Sequence, residues 1–278
     1  MQSILIAGGD LRQVRLAEML KGKGYGIHTI GFGKLGVRDD WADEADWVFL
    51  PVPYQSPDGS LKAPFSETRL RLEDVSDRYP QSAYLLGGLD ARARGVLEGR
   101  RVFDVLADEA FIVTNAMLTA QGAVCAYLKG SETALCGARC VVTGFGRIAK
   151  LLASLLRAHA ARVTVCARKQ GDLEFARAQG YEAAHIRGLA QALRSADVVF
   201  NTVPERIIGE DELASVPPHA CIIELASPPY GLDVERAKEL GLDARIEAGL
   251  PGRAFPGSAA EAMLHAFERE ESQHGIGG

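Results

Sequence analysis

Short apolar segments alternate with amphipathic segments along the whole chain of 278 residues. In the N-terminal part of the chain, this pattern predicts five strands, at residues 3–7, 25–31, 45–51, 82–88 and 100–105. Between the first two, residues 11–24 place Val14, Ala17 and Leu20 near one face of a helix. Strands that alternate with helices in this way are typical of parallel sheets.

A second series of the same kind begins after a long helical segment, residues 114–130. It predicts strands at 138–146, 161–168, 181–185, 196–202, 220–226 and 243–249. We therefore predict an α/β protein of two domains. The N-terminal domain comprises residues 1–113 and is completed by a C-terminal helix at 258–271, residues 114–130 form an inter-domain helix, and the second domain comprises residues 131–257.

Composition and charge exclude several classes of function. The net charge is −5 and no basic-aromatic stripe occurs, so nucleic acid is not an expected partner. No apolar run approaches the roughly 20 residues that span a bilayer, and the N-terminus lacks a signal-peptide pattern. The five cysteines are an odd number, and Cys136 and Cys140 have no nearby histidine. We expect a cytoplasmic protein with reduced thiols and no bound metal.

The segment around Gly144 has the spacing of a dinucleotide-binding loop, G-x-G-x-x-[GA]. A predicted strand precedes it and an amphipathic helix follows it, which is the setting that this loop requires. Gly144 permits the tight turn, Gly146 lets the backbone approach a pyrophosphate, and Ala149 allows close packing of helix and strand. Arg147 is either a phosphate contact or an exposed surface charge. The expected cofactor contacts in this loop are Gly144, Phe145, Gly146, Arg147 and Ile148.

The next predicted strand ends in Arg168 and Lys169, where NAD-binding proteins usually have an acidic residue. An arginine suits a 2′-phosphate, so we expect NADP, with NAD as the alternative. Ligands of open α/β sheets lie at the carboxyl ends of strands. The expected contacts on the nicotinamide side are Asn201, Thr202, Val203, Pro204, Leu225, Ala226, Gly249 and Pro251, each of which is otherwise an ordinary turn after a strand.

Histidine is absent from residues 248–262, the region in which two-domain hydroxyacid dehydrogenases have their catalytic histidine. His265 comes later, inside the predicted last helix. The sequence therefore indicates a nicotinamide site clearly and gives little support for the oxidation of an alcohol.

Several motifs together resemble the A-subunit family of dipicolinate synthase, between about residue 3 and about residue 268. They are GGD with Arg12 and Gln13, Asn115 and Thr119 before Gly122, GFGRIA, ARK, NTVP, ELASPPYG and GLPGRAFP. The resemblance implies a C-terminal NAD(P)-binding Rossmann fold and an N-terminal flavodoxin-like α/β domain. It also implies an oxidoreductase that forms pyridine-2,6-dicarboxylate from a lysine-pathway intermediate in spore-forming bacteria, with a flavoprotein-like B subunit of the synthase as partner.

Such a substrate requires groups that hold two carboxylates. Arg12 and Gln13, after the first strand, are our candidates for this role, and Thr119 and Ser227 add further contacts. Arg12 is otherwise a surface residue, and Asp10 either caps the first helix or transfers a proton. The glycine turn before Asp10 lacks the dinucleotide spacing, and we assign it to the substrate domain.

The segment 51–64 is rich in Pro, Ser and Gly and predicts a loop near a ligand. Two alternatives to the leading hypothesis remain open. One is a non-catalytic nucleotide-binding subunit of the synthase, and the other is an oxidoreductase that acts on a different small carboxylate. A homodimer is the default assembly of this architecture.

Overall fold

The computed structural model describes residues 1–275 and divides into two α/β units. The first unit comprises residues 1–115 and the C-terminal segment that starts at Pro251. The second unit comprises Ala116–Leu250. The boundary between residues 115 and 116 falls within one long helix, Glu109–Gly130.

The first unit contains a parallel sheet of five strands in the order β2-β1-β3-β4-β5, which is the flavodoxin-like order. Its strands are β1 (Ser3–Ala7), β2 (Gly26–Ile30), β3 (Trp47–Phe49), β4 (Ala83–Leu86) and β5 (Val102–Asp104). The helices in or entering this unit are α1 (Leu11–Gly22), α2 (Leu72–Arg78), α3 (Ala91–Val96), α4 (Glu109–Gly130), α10 (Leu250–Ala254) and α11 (Pro256–Gly275). After Ser3, strand β1 is apolar and fully buried, because both faces of its sheet are covered.

The second unit contains a parallel sheet of six strands in the order β11-β10-β9-β6-β7-β8, which is the dinucleotide-binding order. Its strands are β6 (Arg139–Thr143), β7 (Arg162–Ala167), β8 (Glu182–His185), β9 (Val198–Asn201), β10 (Cys221–Glu224) and β11 (Asp243–Ile246). Its helices after α4 are α5 (Arg147–Ala158), α6 (Gln170–Ala178), α7 (Leu189–Leu193), α8 (Glu210–Ser215) and α9 (Val234–Glu239). The predicted fold class is therefore confirmed.

Two helices begin earlier than the sequence pattern predicts. Helix α4 begins at Glu109 and not at residue 114, because the carboxylate of Asp108 accepts a hydrogen bond of 2.8 Å from the backbone N–H of Phe111. Helix α11 begins at Pro256 and not at residue 258, since proline is well suited to the first turn of a helix. The ring of Phe267 in α11 then packs edge-to-face against Trp47 at 5.2 Å.

Helix α4 is long and apolar enough to cross a membrane by length and composition alone, with a mean hydropathy of 1.4 over 18 residues. This differs from the expectation that no segment approaches that limit, because alanine, glycine and threonine separate its larger apolar residues. Phe111 packs in the core of the first unit, and Ala123, Val124 and Tyr127 pack in the core of the second. Burial in these two cores covers part of this apolar surface, 44% of the 18-residue window.

Candidate active site

The glycine-rich loop after β6 lies at the point where the strand order of the second sheet reverses, between β6 and β9. Gly144 has φ +81°, a conformation that side chains disfavour. A Cβ there would also lie 2.8 Å from Thr202 Oγ1 and 3.0 Å from Val203 Cγ2. Glycine is therefore required both for the turn and for the close approach of the two loops.

The start of α5 fits a pyrophosphate group. Gly146 is the N-cap residue, no side chain caps the helix, and the space around its Cα is open. The amides of the first helical turn and the helix dipole are therefore directed at this space. Phe145 is buried against Tyr181 and Phe175, which anchors the loop from below, while Arg147 is exposed at the helix start. The residues present thus fit a dinucleotide.

Arg168 and Lys169 follow β7 and are exposed. The Nη1 atom of Arg168 lies 3.2 Å from Oε2 of Glu205, which belongs to the loop after β9. The sequence pattern does not reveal this acid, because it lies 37 positions along the chain from Arg168. The Glu205 carboxylate would compete with a 2′-phosphate for Arg168. A ribose hydroxyl, in contrast, could donate a hydrogen bond to Glu205.

A buried polar network joins the carboxyl ends of β6, β9 and β10. Asn201 Nδ2 donates to both carboxylate oxygens of Glu224, at 2.7 and 2.8 Å, and Thr143 Oγ1 donates to Asn201 Oδ1. Glu224 is fully buried and also accepts hydrogen bonds of 2.8 Å from the amides of Ala226 and Gly231. Burial raises the pKa of Glu224, and the donated hydrogen bonds oppose that rise.

This network fixes the loops that the sequence assigns to the nicotinamide side. The amide of Val203 donates to Asn201 Oδ1 at 3.2 Å, and Thr202 Oγ1 donates to the carbonyl of Thr143 at 2.7 Å. The side chain of Asn201 is therefore committed to the fold. Glu224 begins the motif ELASPPYG, but the sequence analysis assigns it no role, although an acid that ends the buried strand CIIE is a usable signal.

The remaining predicted contacts on this side differ in exposure. Leu225 and Ala226 are buried, whereas Pro204 and Ser227 are exposed. Gly249 follows β11 and has φ +66°. Contacts between these residues and a cofactor remain predictions, as they do for Thr202, Val203, Ile148 and Pro251.

In the first unit, Asp10 is the N-cap residue of α1. Its Oδ1 accepts a hydrogen bond of 3.0 Å from the amide of Arg12, and its own amide donates to Gln13 Oε1 at 3.0 Å, which completes a capping box. Arg12 is only 3% exposed, so it is a buried residue rather than a surface one. Its Nη2 donates to Asp10 Oδ2 at 3.0 Å and to the carbonyl of Val52 at 3.1 Å.

The Arg12 contacts bridge the two loops at the switch point of this sheet, since Asp10 follows β1 and Val52 follows β3. The Nε2 atom of the buried Gln13 has no hydrogen-bond partner among the described residues. A Cβ at Gly252 would overlap the Asp10 carboxylate, so glycine is needed there for close packing. The structure therefore brings Asp10, Arg12 and Gln13 together at the carboxyl end of β1.

Thr119 and Ser227 belong to the second unit, where Thr119 is buried in α4. Of the histidines whose side chains the structure describes, two pair with carboxylates. His28 pairs with Asp40 at 2.9 Å, and His219 pairs with Asp197 at 3.1 Å. Asp197 and His219 precede β9 and β10, at the amino edge of the second sheet and away from its glycine loop.

Comparison with known proteins finds two sequence families. Residues 3–101 match the family of the N-terminal domain of the dipicolinate synthase A subunit. Residues 106–228 match "D-isomer specific 2-hydroxyacid dehydrogenase, NAD binding domain". The second match agrees with the glycine loop and the strand order of the second unit. The chain therefore carries the nicotinamide-binding domain of an NAD(P)-dependent oxidoreductase.

Relatives match over almost the whole chain. The A subunit of dipicolinate synthase from Bacillus subtilis (strain 168) is 25% identical over 96% of this chain and 94% of its own. The crystal structure of the corresponding protein from Bacillus halodurans has a TM-score of 0.84 at 27% identity, covering 96% of this chain and 97% of its own. A transhydrogenase from Sinorhizobium meliloti, with a TM-score of 0.66 at 14% identity over 97% of this chain and 94% of its own, shares the fold.

Proposed function

We propose that this chain, whose resemblance to the A subunit of dipicolinate synthase is confirmed along almost its whole length, oxidises a dihydrodipicolinate to pyridine-2,6-dicarboxylate with NADP. Dihydrodipicolinate and NADP⁺ become pyridine-2,6-dicarboxylate, NADPH and one proton. The observation that carries the proposal is the buried Arg12 at the switch point of the first sheet. A cation fixed at such an edge is suited to a carboxylate ligand.

The residues of the first unit supply substrate binding. The hydrogen bonds of Arg12 to Asp10 and Val52 involve Nε and Nη2, and its Nη1 has no partner among the described residues. Nη1 is therefore the group that we assign to a substrate carboxylate, with Gln13 Nε2 as a second donor. Asp10 holds the guanidinium in place. Thr119 and Ser227, which belong to the second unit, remain predicted substrate contacts.

The second unit supplies cofactor binding. We assign the pyrophosphate to the amides at the start of α5, and the nicotinamide to the loops that the Thr143–Asn201–Glu224 network fixes. A nicotinamide held there would supply the acceptor for a hydride from the substrate ring, and aromaticity of the product favours the reaction. Orientation of the ring is then the main task of the protein.

Turnover by the purified chain together with the B subunit tests the proposal. NADP and a dihydrodipicolinate pool are supplied, and the absorbances of the reduced cofactor and of the pyridine product are followed. We expect both signals to rise together. The variant Arg12→Met should retain NADP binding and lose product formation, whereas Arg15→Met, on the exposed face of the same helix, should behave as the unchanged chain. Normal KM and kcat in Arg12→Met would overturn the carboxylate-binding role.

The choice of NADP over NAD rests on Arg168 and Lys169. We expect Arg168→Ala to weaken NADP binding and leave NAD binding nearly unchanged, because only NADP carries the 2′-phosphate. Glu205→Gln should strengthen NADP binding, since it removes the competing carboxylate. Titration of both cofactors against these variants, with the exposed Arg194→Ala as control, measures the preference. Tighter binding of NAD than NADP by the unchanged chain would contradict the assignment.

A second candidate function is that of a non-catalytic nucleotide-binding subunit. It is favoured by the positions of the histidines, since neither His–carboxylate pair described above lies beside the glycine loop or Arg12. Turnover by the chain alone and with the flavoprotein-like partner separates the two functions. Hydride transfer by the chain alone supports the enzyme. Signal only with the partner supports the nucleotide-binding role or an obligate complex.

We further propose that the chain works in the cytoplasm, in complex with the flavoprotein-like partner and as a homodimer or larger assembly. A different small carboxylate as substrate is the remaining alternative within the same architecture. It is tested by replacing dihydrodipicolinate with other cyclic imino acids in the same assay. Faster turnover of one of those compounds would identify it as the better substrate.

A further inference from the structure

The backbone of Lys62 is pinned against the turn after β1. Within the segment 51–64, Gln55 and Leu61 form an antiparallel bridge, and the amide of Lys62 donates to the carbonyl of Tyr54 at 2.9 Å. The carbonyl of Lys62 then accepts a hydrogen bond of 2.8 Å from the amide of Gly9. The loop that the sequence predicts to lie near a ligand thus brings Lys62 to the carboxyl edge of the first sheet.

The side chain of Lys62 is half-buried, and its electrostatic neighbours are Asp10 and Arg12. Burial lowers the pKa of the ammonium group, the charge of Arg12 lowers it further, and Asp10 opposes both effects. The ammonium has no hydrogen bond or ion pair within reach in the described part of the chain. Two cations and one carboxylate therefore share a desolvated edge and leave one positive charge uncompensated.

An independent observation at the same place concerns Gln13. Its side chain is 1% exposed, and its Nε2 donor has no partner among the described residues. A buried donor without a partner is unfavourable unless a ligand accepts from it. Both unsatisfied groups, one cationic and one a neutral donor, call for an anionic oxygen ligand.

We propose that Lys62 is a substrate-binding residue, whose ammonium group joins Arg12 in holding a carboxylate of the substrate. The identity of that carboxylate as part of a pyridine dicarboxylate rests on the proposed function. The cofactor phosphates have their own site at the start of α5 in the second unit. Among the residues that the structure describes, Arg12 has only its Nη1 group free for a ligand, which is too little for two carboxylates. Lys62 supplies the additional cation.

Equilibrium binding of pyridine-2,6-dicarboxylate to the full chain tests the assignment by calorimetric titration. We expect Lys62→Gln to raise the Kd roughly 10- to 100-fold, as loss of a charge-assisted hydrogen bond does. Lys62→Arg should restore much of the affinity, and the exposed Lys21→Gln is the matched control. NADP affinity should stay the same in all three variants. In turnover with the flavoprotein-like partner, KM should rise more than kcat falls.

A purely structural lysine predicts a different set of results. Lys62→Gln would then lower the urea midpoint of unfolding and leave the Kd unchanged, which would overturn the proposal. We expect the midpoint to stay the same or rise, since an uncompensated cation is removed. If the unchanged chain neither binds the dicarboxylate nor forms it, the proposed function fails and this role of Lys62 fails with it. If the unchanged chain does both and Lys62→Gln matches it, only the role of Lys62 is overturned.

Discussion

Replacement of Asp10 separates helix capping and ion pairing from proton transfer. In Asp10→Ala, the N-cap hydrogen bond to the amide of Arg12 is lost, which costs about 1 kcal/mol. The guanidinium of Arg12, 3% exposed, then keeps only the carbonyl of Val52, and removal of one partner of a buried pair costs about 3–5 kcal/mol. Because the Asp10 side chain is 16% exposed, we take the lower end of that range, and expect a total loss of about 4 kcal/mol.

Asp10→Asn is the conservative variant. Asparagine caps helices as well as aspartate does, and its oxygen still accepts one hydrogen bond from Arg12. The charge assistance is lost, and the amide N–H₂ replaces the oxygen that accepts from Arg12 Nη2, so we expect a loss of about 2 kcal/mol. The ratio of the two losses thus measures how much of the role of Asp10 depends on its charge and on its second oxygen.

Urea unfolding followed by tryptophan fluorescence measures these losses in the first unit alone. The two tryptophans of the chain, Trp41 and Trp47, both belong to that unit. Asp233→Asn is the control, because Asp233 caps α9 in the second unit and should leave the fluorescence transition unchanged. A loss below about 1 kcal/mol in Asp10→Ala would refute the ion-pair reasoning. Unchanged stability in Asp10→Asn with kcat lowered roughly 100-fold or more would instead indicate proton transfer.

Three further predictions concern other parts of the two units. Glu224→Gln should destabilise the second unit by about 3 kcal/mol, since the new amide N–H₂ would face one backbone N–H and the side-chain N–H₂ of Asn201, and circular dichroism in urea measures the loss. Arg139 holds the pKa of Asp197 well below its usual range. The Asp197 carboxylate therefore stabilises the fold fully at a pH above its pKa in the unfolded chain, and this stabilisation is lost as the pH falls through its pKa in the folded protein. The difference in unfolding free energy between the unchanged chain and Asp197→Asn should therefore be about 1 kcal/mol at neutral pH and should shrink in acid, and no change with pH would contradict this. Gly252→Ala should displace the Asp10 carboxylate and raise the substrate KM with no effect on NADP affinity.

The sequence predicts the fold class and the cofactor loop because both depend on local patterns. Strand β1 occupies Ser3–Ala7, the same five residues as the apolar segment SILIA. The G-x-G-x-x-A spacing at Gly144 needs only a neighbouring strand and helix, which periodicity also predicts. Two helices begin at Glu109 and Pro256, before the starts that periodicity predicts. The reason at Glu109 is that a helix cap depends on one hydrogen bond rather than on a repeating pattern.

Contacts between distant loops could not be predicted in the same way. Glu205 approaches Arg168 only because the loops after β7 and β9 emerge at the same edge of the sheet. Lys62 reaches the first turn through a hydrogen bond between loops, to Gly9. Nothing in the order of residues distinguishes such side chains from exposed surface charges. Of the two alternatives for Asp10, the structure shows helix capping, whereas proton transfer is tested by kinetics.

Helix α11 has a consequence for the order in which the protein is made. Phe267 and Met263 lie in the same core as Trp47 and Phe49, yet the ribosome adds them after the whole second unit. During translation the second unit can fold as soon as Leu250 has emerged, whereas the first sheet must wait with one apolar face uncovered. The first unit thus keeps apolar surface uncovered for longer during synthesis than the second unit does, and transiently exposed apolar surface favours aggregation.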